Sequence, residues 1–241
     1  MPAALSVPAR IAGLSWYHSI DLGEAGLTPG VYDHGEYLPF YGFPDDMRGM
    51  SVLDVGAGDG YFSFHFERAG ARVLAVNPPA WSAEDYLPIH AGDWASENAG
   101  PEESPLLLAR ELLGSRVEYR RMVVYDLSPE TAGVHDLTFC GSVLCHLMNP
   151  LLALIRIRSV TRRTAVIATL VHDEPQLRDR PVMLFAGPGY VHTFFIPNVA
   201  CLGEMVRAAG FRDYTHVSSF TLRSRKPPWE GGAHAVIHAH V

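Results

Sequence analysis

The sequence predicts an α/β fold, a doubly wound sheet within residues 49–241 with an antiparallel hairpin at one edge and an aromatic-rich cap over residues 1–48. Three observations predict it. Apolar runs typical of buried parallel strands alternate with segments of helical periodicity, which gives about seven strands in repeated βαβ units. A glycine-rich turn joins the first strand to the first helix of the sheet. Two β-rich segments end the chain and predict an antiparallel pair.

The cap is predicted from its content of aromatic residues. A short helix over residues 4–14 leads into loops dense in tyrosine, tryptophan and histidine. This composition favours an ordered segment that packs on the carboxyl edge of the sheet, where loops often bind ligands. Tyr17, Tyr32 and His34 are therefore candidates to line a substrate pocket, and simple packing within the cap is the alternative.

The glycine-rich turn lies inside one complete βαβ unit. Residues 51–55 and 72–76 are apolar runs that predict two buried parallel strands. Residues 61–69 carry apolar side chains at helical spacing, and Gly70 ends this helix. The turn, residues 56–60, is expected at the carboxyl edge of the sheet, where ligands of such folds bind.

The residues around this turn discriminate between possible ligands. The dinucleotide pattern G-x-G-x-x-G would need a glycine where the chain has Tyr61, and Asp59 would repel a pyrophosphate at the helix N-terminus. A ligand with a ribose and a neutral or cationic tail fits better, and a purely structural glycine turn is the alternative. The candidate binding residues are Asp54, Gly56, Ala57, Gly58 and Asn77.

The rest of the chain continues the alternation of strands and helices. Strands are predicted at 117–122, 135–139, 164–170, 215–222 and 234–241, the last two as the closing hairpin. Helices are predicted at 101–113, from Ser128 onward, from the turn at 141–147 to Val160, and at 199–209 with Asn198 as N-cap. Residues 171–197 are expected to form a long insertion.

The run Asp54-x-Gly56-x-Gly58-x-Gly60 resembles the first motif of class I methyltransferases, which bind S-adenosylmethionine on a Rossmann-like sheet. The resemblance implies that the glycines pass under the methionine and ribose of this cofactor. It also implies that Asn77, at a position where the family usually has an acid, holds the ribose hydroxyls. An amide can donate and accept hydrogen bonds, but it lacks the charge-assisted bonds of a carboxylate.

The stretch from His135 to Leu147 is similar to a narrower group, the methyltransferases related to bacterial tRNA wobble-uridine carboxymethyltransferases. The similarity covers residues 48–222. The wider resemblance to class I methyltransferases implies that Asp126, after the third strand, meets the adenine amino group, with a helix-capping role as the alternative. The cofactor-binding residues implied in this half of the sheet are Asp126, Leu127, Cys140 and Gly141.

Two departures from this group favour a small-molecule acceptor over tRNA. Cys145 stands where the tRNA enzymes have a tyrosine that helps to bind the extra carboxylate of their donor. The basic N-terminal extension of those enzymes is not seen, and a net charge of −7 gives no field to hold a polyanion. The alternatives are carboxymethyl transfer to tRNA, cyclisation of the donor with release of methylthioadenosine, and a non-catalytic binding module.

Histidines supply the candidates for catalysis. His146 is expected in the acceptor pocket as a general base, with a bond to a backbone carbonyl as the alternative role. His18 in the cap is the second candidate base. His234, His238 and His240 share one face of the last strand, where a solvated sheet face is favoured over a metal site, so no metal is expected.

The composition sets broad limits. With 241 residues, 48% of them hydrophobic and 19% charged, the chain can bury a full core. Its three cysteines lack metal-site spacing and are expected to be reduced, which favours a cytoplasmic location. We expect no signal peptide, and no apolar stretch reaches the roughly 18 residues of a membrane span.

Overall fold

The structure is a computed structural model, and it describes residues 5–79, 85–87, 89, 104–190, 192–227 and 231–241. The strands are β1 (Ser51–Val55), β2 (Arg72–Asn77), β3 (Glu118–Arg121), β4 (His135–Gly141), β5 (Thr161–Leu170), β6 (Met183–Phe185), β7 (Phe195–Pro197), β8 (Asp213–Leu222) and β9 (Gly232–His240). The α-helices are α1 (Val7–Ala12), α2 (Tyr61–Arg68), α3 (Pro105–Leu112), α4 (Pro150–Ser159) and α5 (Val199–Ala208).

Seven strands form the main sheet, in the order β3-β2-β1-β4-β5-β9-β8. The five strands from β3 to β5 pair in parallel, and β9 pairs antiparallel with both β5 and β8. The predicted fold class, a doubly wound sheet with an antiparallel edge hairpin, is confirmed. The strand order reverses between β1 and β4, and in such sheets this switch point is where ligands bind.

The sheet separates two hydrophobic cores because successive side chains of a strand point to opposite faces. In β1, Val52 belongs to the core shared with the cap, α2 and α3, whereas Leu53 belongs to the core shared with α4 and α5. Phe66 of α2 and Leu154 of α4 are fully buried, one in each core. Helices therefore cover both faces, as the apolar runs of the parallel strands predict.

The region after β4 differs from the prediction of one helix that continues to Val160. A short 3-10 helix, Leu144–His146, comes first, and α4 begins only at Pro150. The Asn149 side chain accepts a hydrogen bond from the N–H of Leu152 at 3.1 Å and caps α4. Proline is favoured in the first helical turn but lacks the N–H that a helix interior needs, so the chain breaks here.

Two other segments also differ from expectation. Within the described range 104–190, no α-helix starts at Ser128; the N–H of Thr131 donates to its carbonyl oxygen at 3.2 Å in a turn, so that prediction is wrong. The 171–197 insertion contains an antiparallel hairpin made by β6 and β7. The predicted starts of the helices over residues 4–14 and 101–113 lie outside the described residues, which leave out 1–4 and 101–103. The predicted N-cap Asn198 is confirmed, since it accepts from the N–H of Cys201 at 2.8 Å.

The cap packs on the face of the sheet that carries α2. Trp16 and Tyr41 are buried in the core of that face. At its far side the cap meets the loop between β8 and β9, where the N–H of Arg225 donates to the carbonyl oxygen of Val31 at 2.8 Å. The boundary between cap and sheet at residue 48 stays a prediction. In the described parts of the chain, no helix is long and apolar enough to cross a membrane.

Candidate active site

Three glycines shape the loop between β1 and α2, the glycine loop of residues 56–60. Gly56, Gly58 and Gly60 have φ angles of 72°, 59° and 92°, in the left-handed region that favours glycine. A Cβ atom on Gly56 would lie 2.4 Å from Cγ2 of Val143, so a side chain there would collide with the turn after β4. The loop therefore presents bare backbone at the switch point of the sheet.

Backbone bonds fix this loop to β2. The N–H groups of Gly56 and Ala57 both donate to the carbonyl oxygen of Val76, at 2.9 and 3.1 Å. Ala57 is buried. Because Val76 precedes Asn77 in β2, the glycine loop and the end of β2 form one corner of the site.

Asn77 closes this corner with both ends of its amide. Its Oδ1 accepts from the N–H of Gly58 and its Nδ2 donates to the carbonyl oxygen of Gly58, both at 2.8 Å. A carboxamide has two N–H groups and two acceptor lone pairs, so one donor and one acceptor remain. That remaining pair suits a diol such as a ribose.

Asp54 supports the loop from inside the protein. It is buried, and its Oδ2 accepts from the hydroxyl of Ser63 at 2.6 Å. Burial raises the pKa of the Asp54 carboxyl to about 6, while the Ser63 bond and nearby His18 act in the opposite direction. Asp54 therefore contacts the helix that follows the loop.

The ends of β3 and β4 carry the other predicted binding residues. Asp126 ends a short 3-10 helix and is exposed, whereas Leu127 is fully buried in the core around α4 and α5. Cys140 is also buried, which raises the pKa of its thiol well above the usual range. A Cβ on Gly141 would lie 2.6 Å from the ring of Phe139. Of these four predicted residues, Asp126 is the exposed one.

His146 lies directly after β4, at the end of the 3-10 helix, and is exposed. Its Nδ1 donates to the carbonyl oxygen of His192, and the N–H of Phe194 donates to the carbonyl oxygen of Cys145 at 2.8 Å. Both bonds join the turn to the insertion. A proton on Nδ1 leaves the lone pair on Nε2, which is the tautomer that a general base needs. The carbonyl bond thus orients the ring without opposing a role as base.

The cap reaches the glycine loop through Asp59, which is 3% exposed. Its Oδ2 accepts from the N–H groups of Tyr17 and His18, at 2.9 and 2.7 Å, and its Oδ1 pairs with Nδ1 of His18. The sequence suggested Asp59 only as a group that excludes pyrophosphate. His18, the second candidate base, is itself buried by these contacts.

The three predicted substrate residues of the cap differ in exposure. Tyr32 and His34 are buried, and Nδ1 of His34 shares a hydrogen bond of 3.2 Å with the Tyr41 hydroxyl. Burial lowers the pKa of His34 to about 2. Tyr17 keeps 41% of its surface exposed, although desolvation raises the pKa of its hydroxyl. Of the three predicted residues, Tyr17 is therefore the accessible one.

A second unpredicted carboxylate ties two strand ends together. Oδ2 of Asp85 accepts from the hydroxyl of Tyr125 and, at 2.7 Å, from the N–H of Met148. The segment after β2 is thereby joined to the turns after β3 and β4. These residues are far apart in the sequence, and no spacing pattern links them. The sequence offers only a general signal for Asp59 or Asp85: a carboxylate that is removed from water needs hydrogen-bond partners.

The histidines of β9 each have a partner of their own. Nδ1 of His234 donates to the carbonyl oxygen of Gly232, and Nε2 of His238 donates to that of Tyr41, both at 2.8 Å. His240 lies near a threonine hydroxyl of β8. Within the described residues, no group of three or more histidine, cysteine, aspartate or glutamate side chains could hold a metal ion.

Comparison with known proteins gives a consistent result. Residues 53–169 match the family model described as a methyltransferase domain. The tRNA U34 carboxymethyltransferase of Pseudomonas paraeruginosa is 27% identical over 173 residues, which are 70% of this chain and 47% of that protein. The chain thus spans about half the length of the curated relatives it matches first.

Two solved structures share the fold. The N-terminal domain of EvdMO1 with bound S-adenosylhomocysteine aligns with a TM-score of 0.65 at 17% identity, over 98% of this chain and 95% of that one. The 1,6-didemethyltoxoflavin-N1-methyltransferase of Burkholderia thailandensis, with 1,6-didemethyltoxoflavin and S-adenosylhomocysteine bound, aligns with a TM-score of 0.54 at 22% identity, over 86% and 78%. At such identities the likeness concerns the fold.

Proposed function

We propose that the chain is a class I S-adenosylmethionine-dependent methyltransferase and that it methylates a small-molecule acceptor with His146 as the general base. The observation that carries the proposal is the corner formed by the glycine loop and Asn77. It combines bare backbone with a spare donor and acceptor at the switch point of the sheet.

The residues present fit the donor. The positive φ angles of Gly56 and Gly58 and the absence of side chains allow the methionine and ribose portions to approach the backbone. Asn77 would hold the ribose hydroxyls with its remaining N–H and lone pair. Exposed Asp126, after β3, would accept from the adenine amino group.

S-adenosylmethionine, when bound, supplies an activated methyl group and leaves as S-adenosylhomocysteine. The protein therefore has to align the reactants, exclude water and remove a proton. Nε2 of His146 accepts the proton that the acceptor oxygen or nitrogen loses as its bond to the methyl carbon forms. The bond from Nδ1 to the His192 carbonyl holds the imidazole in place during this step. Tyr17, an accessible side chain of the cap, would contact the acceptor from the cap side.

The acidic charge supports a small-molecule acceptor. A net charge of −7 opposes retention of a polyanion by counterion release. The solved methyltransferase with 1,6-didemethyltoxoflavin bound shows that this fold accommodates a small heterocycle. The free cysteines, Cys140, Cys145 and Cys201, suit a reducing compartment, and we place the protein in the cytoplasm on that ground.

Carboxymethyl transfer to tRNA is the second candidate, because the relatives that match along 70% of the chain carry that name. Cys145, in place of the tyrosine implied by that resemblance, weighs against it. The two candidates differ in donor as well as acceptor, so they separate cleanly in one assay.

The test is incubation of the purified chain with S-adenosylmethionine and a panel of small hydroxyl- and amine-bearing acceptors, and in parallel with the carboxylated donor and tRNA. Mass spectrometry identifies the products, and calorimetry measures the binding of each donor. S-adenosylhomocysteine formed together with an acceptor heavier by one methylene supports the proposal. Methylthioadenosine released without acceptor would replace it by donor cyclisation. Carboxymethylated tRNA, formed only with the carboxylated donor, would replace it by the second candidate, and no donor binding at all would indicate a non-catalytic module.

A further inference from the structure

Asp59 uses both of its carboxylate oxygens on the cap. Three polar groups of the two-residue segment Tyr17–His18 contact it, two backbone N–H groups and the His18 imidazole. Asp59 is 3% exposed and His18 is 6% exposed. Burying a carboxylate this far from water costs free energy unless the carboxylate is paired and hydrogen-bonded. The three contacts with the cap offset that cost for Asp59.

The position of Asp59 in the chain gives this contact its meaning. Asp59 lies between Gly58, which Asn77 holds, and Gly60, from which α2 begins. A Cβ on Gly58 would lie 3.7 Å from Cε1 of His18, so the imidazole covers the loop at van der Waals distance. Any shift of the cap at His18 is thereby transmitted to the backbone proposed to bind the donor.

Aromatic packing reinforces the same contact. The His18 ring stacks on Tyr61, the first residue of α2, with 5.4 Å between centroids and 26° between planes, and lies 5.1 Å from the ring of His34. The Tyr17 ring lies 4.9 Å from that of Tyr32. The other side of the cap is bound to the β8–β9 loop through Val31. Other described contacts join the cap to β8 and β9, through Phe40 and Tyr41, and these lie outside the glycine loop, to which Asp59 belongs.

We propose that Asp59 is a positioning residue that couples the N-terminal cap to the donor site, so that an ordered cap and a bound donor stabilise each other. The inference rests on the proposed function, since it takes the glycine loop as the donor site. Coupling of this kind is reciprocal. The factor by which an ordered cap raises the affinity for the donor equals the factor by which a bound donor raises the equilibrium constant for ordering of the cap.

The test measures hydrogen exchange and donor affinity on the full chain, with S-adenosylhomocysteine as the probe. In the wild type, S-adenosylhomocysteine is expected to slow amide exchange in peptides that cover residues 16–34. Asp59→Ala removes all three contacts, so exchange of the Tyr17 and His18 amides should rise. The affinity for the probe should fall at least about tenfold, as expected when bonds to a charged group are lost.

Two further variants separate positioning from general loss of stability. Asp59→Asn keeps an oxygen that can accept from the backbone N–H groups but loses the charged partner of His18, so its affinity and exchange should lie between wild type and Asp59→Ala. Asp46→Ala is the matched control, because Asp46 is an exposed carboxylate of the same cap whose partner among the described residues is Arg48. It should match the wild type in both readouts.

The outcomes distinguish this inference from the proposed function. If the wild type does not bind S-adenosylhomocysteine, the proposed function fails. If the wild type binds but Asp59→Ala binds equally well and shows the same protection of residues 16–34, the donor site stands and the coupling is refuted. If Asp59→Ala raises exchange in β4 and β5 as much as in the cap, Asp59 is a residue of general stability and the positioning role is also refuted.

Discussion

The two walls of the proposed cleft are built in different ways. The donor side, formed by the glycine loop, Asn77 and the cap, is held by hydrogen bonds in which backbone groups take part, those of Asp59 largely buried and those of Asn77 exposed. The acceptor side, formed by the turn after β4 and the insertion, carries exposed His146, oriented by a carbonyl of the insertion. This difference suits the two reactants. The donor would bind a preorganised site, and the acceptor would meet an accessible histidine on a segment that can vary with the acceptor.

Replacement of His146 is expected to have the largest effect, and it tests the acceptor side alone. His146→Gln removes the titratable Nε2, so kcat should fall by about 10²–10⁴, the usual contribution of a general base. The affinity for S-adenosylhomocysteine, measured by calorimetry, should stay within about twofold, because the donor side is unchanged. His216→Gln, at an exposed position of β8, is the control. Equal loss of donor affinity and rate would remove the distinction between the two walls.

Gly56→Ala tests the donor side. A left-handed alanine costs about 1–2 kcal/mol wherever it stands, and here its Cβ would also collide with Val143 at 2.4 Å. Gly114→Ala is the matched control, since Gly114 has a φ angle of 59° and a Cβ added there would meet nothing within 4 Å. In both variants the left-handed alanine should lower the free energy of unfolding by a similar amount. Only Gly56→Ala should lose donor affinity, by about a hundredfold, which corresponds to a cost of a few kcal/mol. Equal affinities in calorimetry would contradict the proposed donor site.

Lowering the pH should decrease the free energy of unfolding through His34, a buried histidine of the cap. Its pKa is about 2 in the folded protein and 6.5 in the unfolded chain, so below pH 6.5 the unfolded chain binds a proton that the folded chain does not. The free energy of unfolding should therefore decrease as the pH falls, by up to about 2 kcal/mol between pH 6.5 and 5 from this residue.

Denaturant unfolding of wild type and His34→Gln across this pH range measures the effect. Glutamine does not titrate but can still accept from the Tyr41 hydroxyl, so the pH slope of the variant should be shallower by nearly one proton. Asp54, whose raised pKa of about 6 acts in the opposite direction, is present in both proteins and cancels in the comparison. An unchanged slope would show that His34 is solvated in the folded state.

Asn77 should give the smallest of these effects. Asn77→Ala removes two hydrogen bonds to Gly58 and the proposed bonds to the ribose, so donor affinity should fall about tenfold or more. Asn77→Asp should keep the bond from the Gly58 N–H, lose the one to its carbonyl, and gain charge-assisted bonds to ribose hydroxyls. A calorimetric affinity of Asn77→Asp above that of Asn77→Ala is expected. The reverse order would mean that repulsion between the introduced carboxylate and the Gly58 carbonyl oxygen outweighs the bonds gained at the ribose.

The fold and the conformation of the glycine loop were largely predictable because they depend on local signals. Period-two and helical apolar patterns place the strands and helices, and glycines mark a turn that needs positive φ angles. The errors lie where one residue overrides the periodicity, as Pro150 does when it starts α4 anew. Asn77 could be placed at the end of β2, but its bond to Gly58 depends on how two strand ends meet.

The acceptor side and the attachment of the cap were less predictable because they depend on contacts between distant segments. The His146 ring is oriented by a carbonyl 46 residues later, and Asp59 binds a segment 41 residues earlier. A backbone carbonyl leaves no side-chain signal in the sequence. For this reason the identity of His146 as a candidate came from its place after β4, whereas its partner came only from the structure.

The central claim, that the glycine loop and Asn77 form a donor site, is tested most directly by calorimetric titration of the purified chain with S-adenosylhomocysteine, alongside Gly56→Ala and Gly114→Ala. We expect one site per chain in the wild type and in Gly114→Ala, and strongly weakened binding in Gly56→Ala. No binding to the wild type, or binding that Gly56→Ala leaves intact, would contradict it.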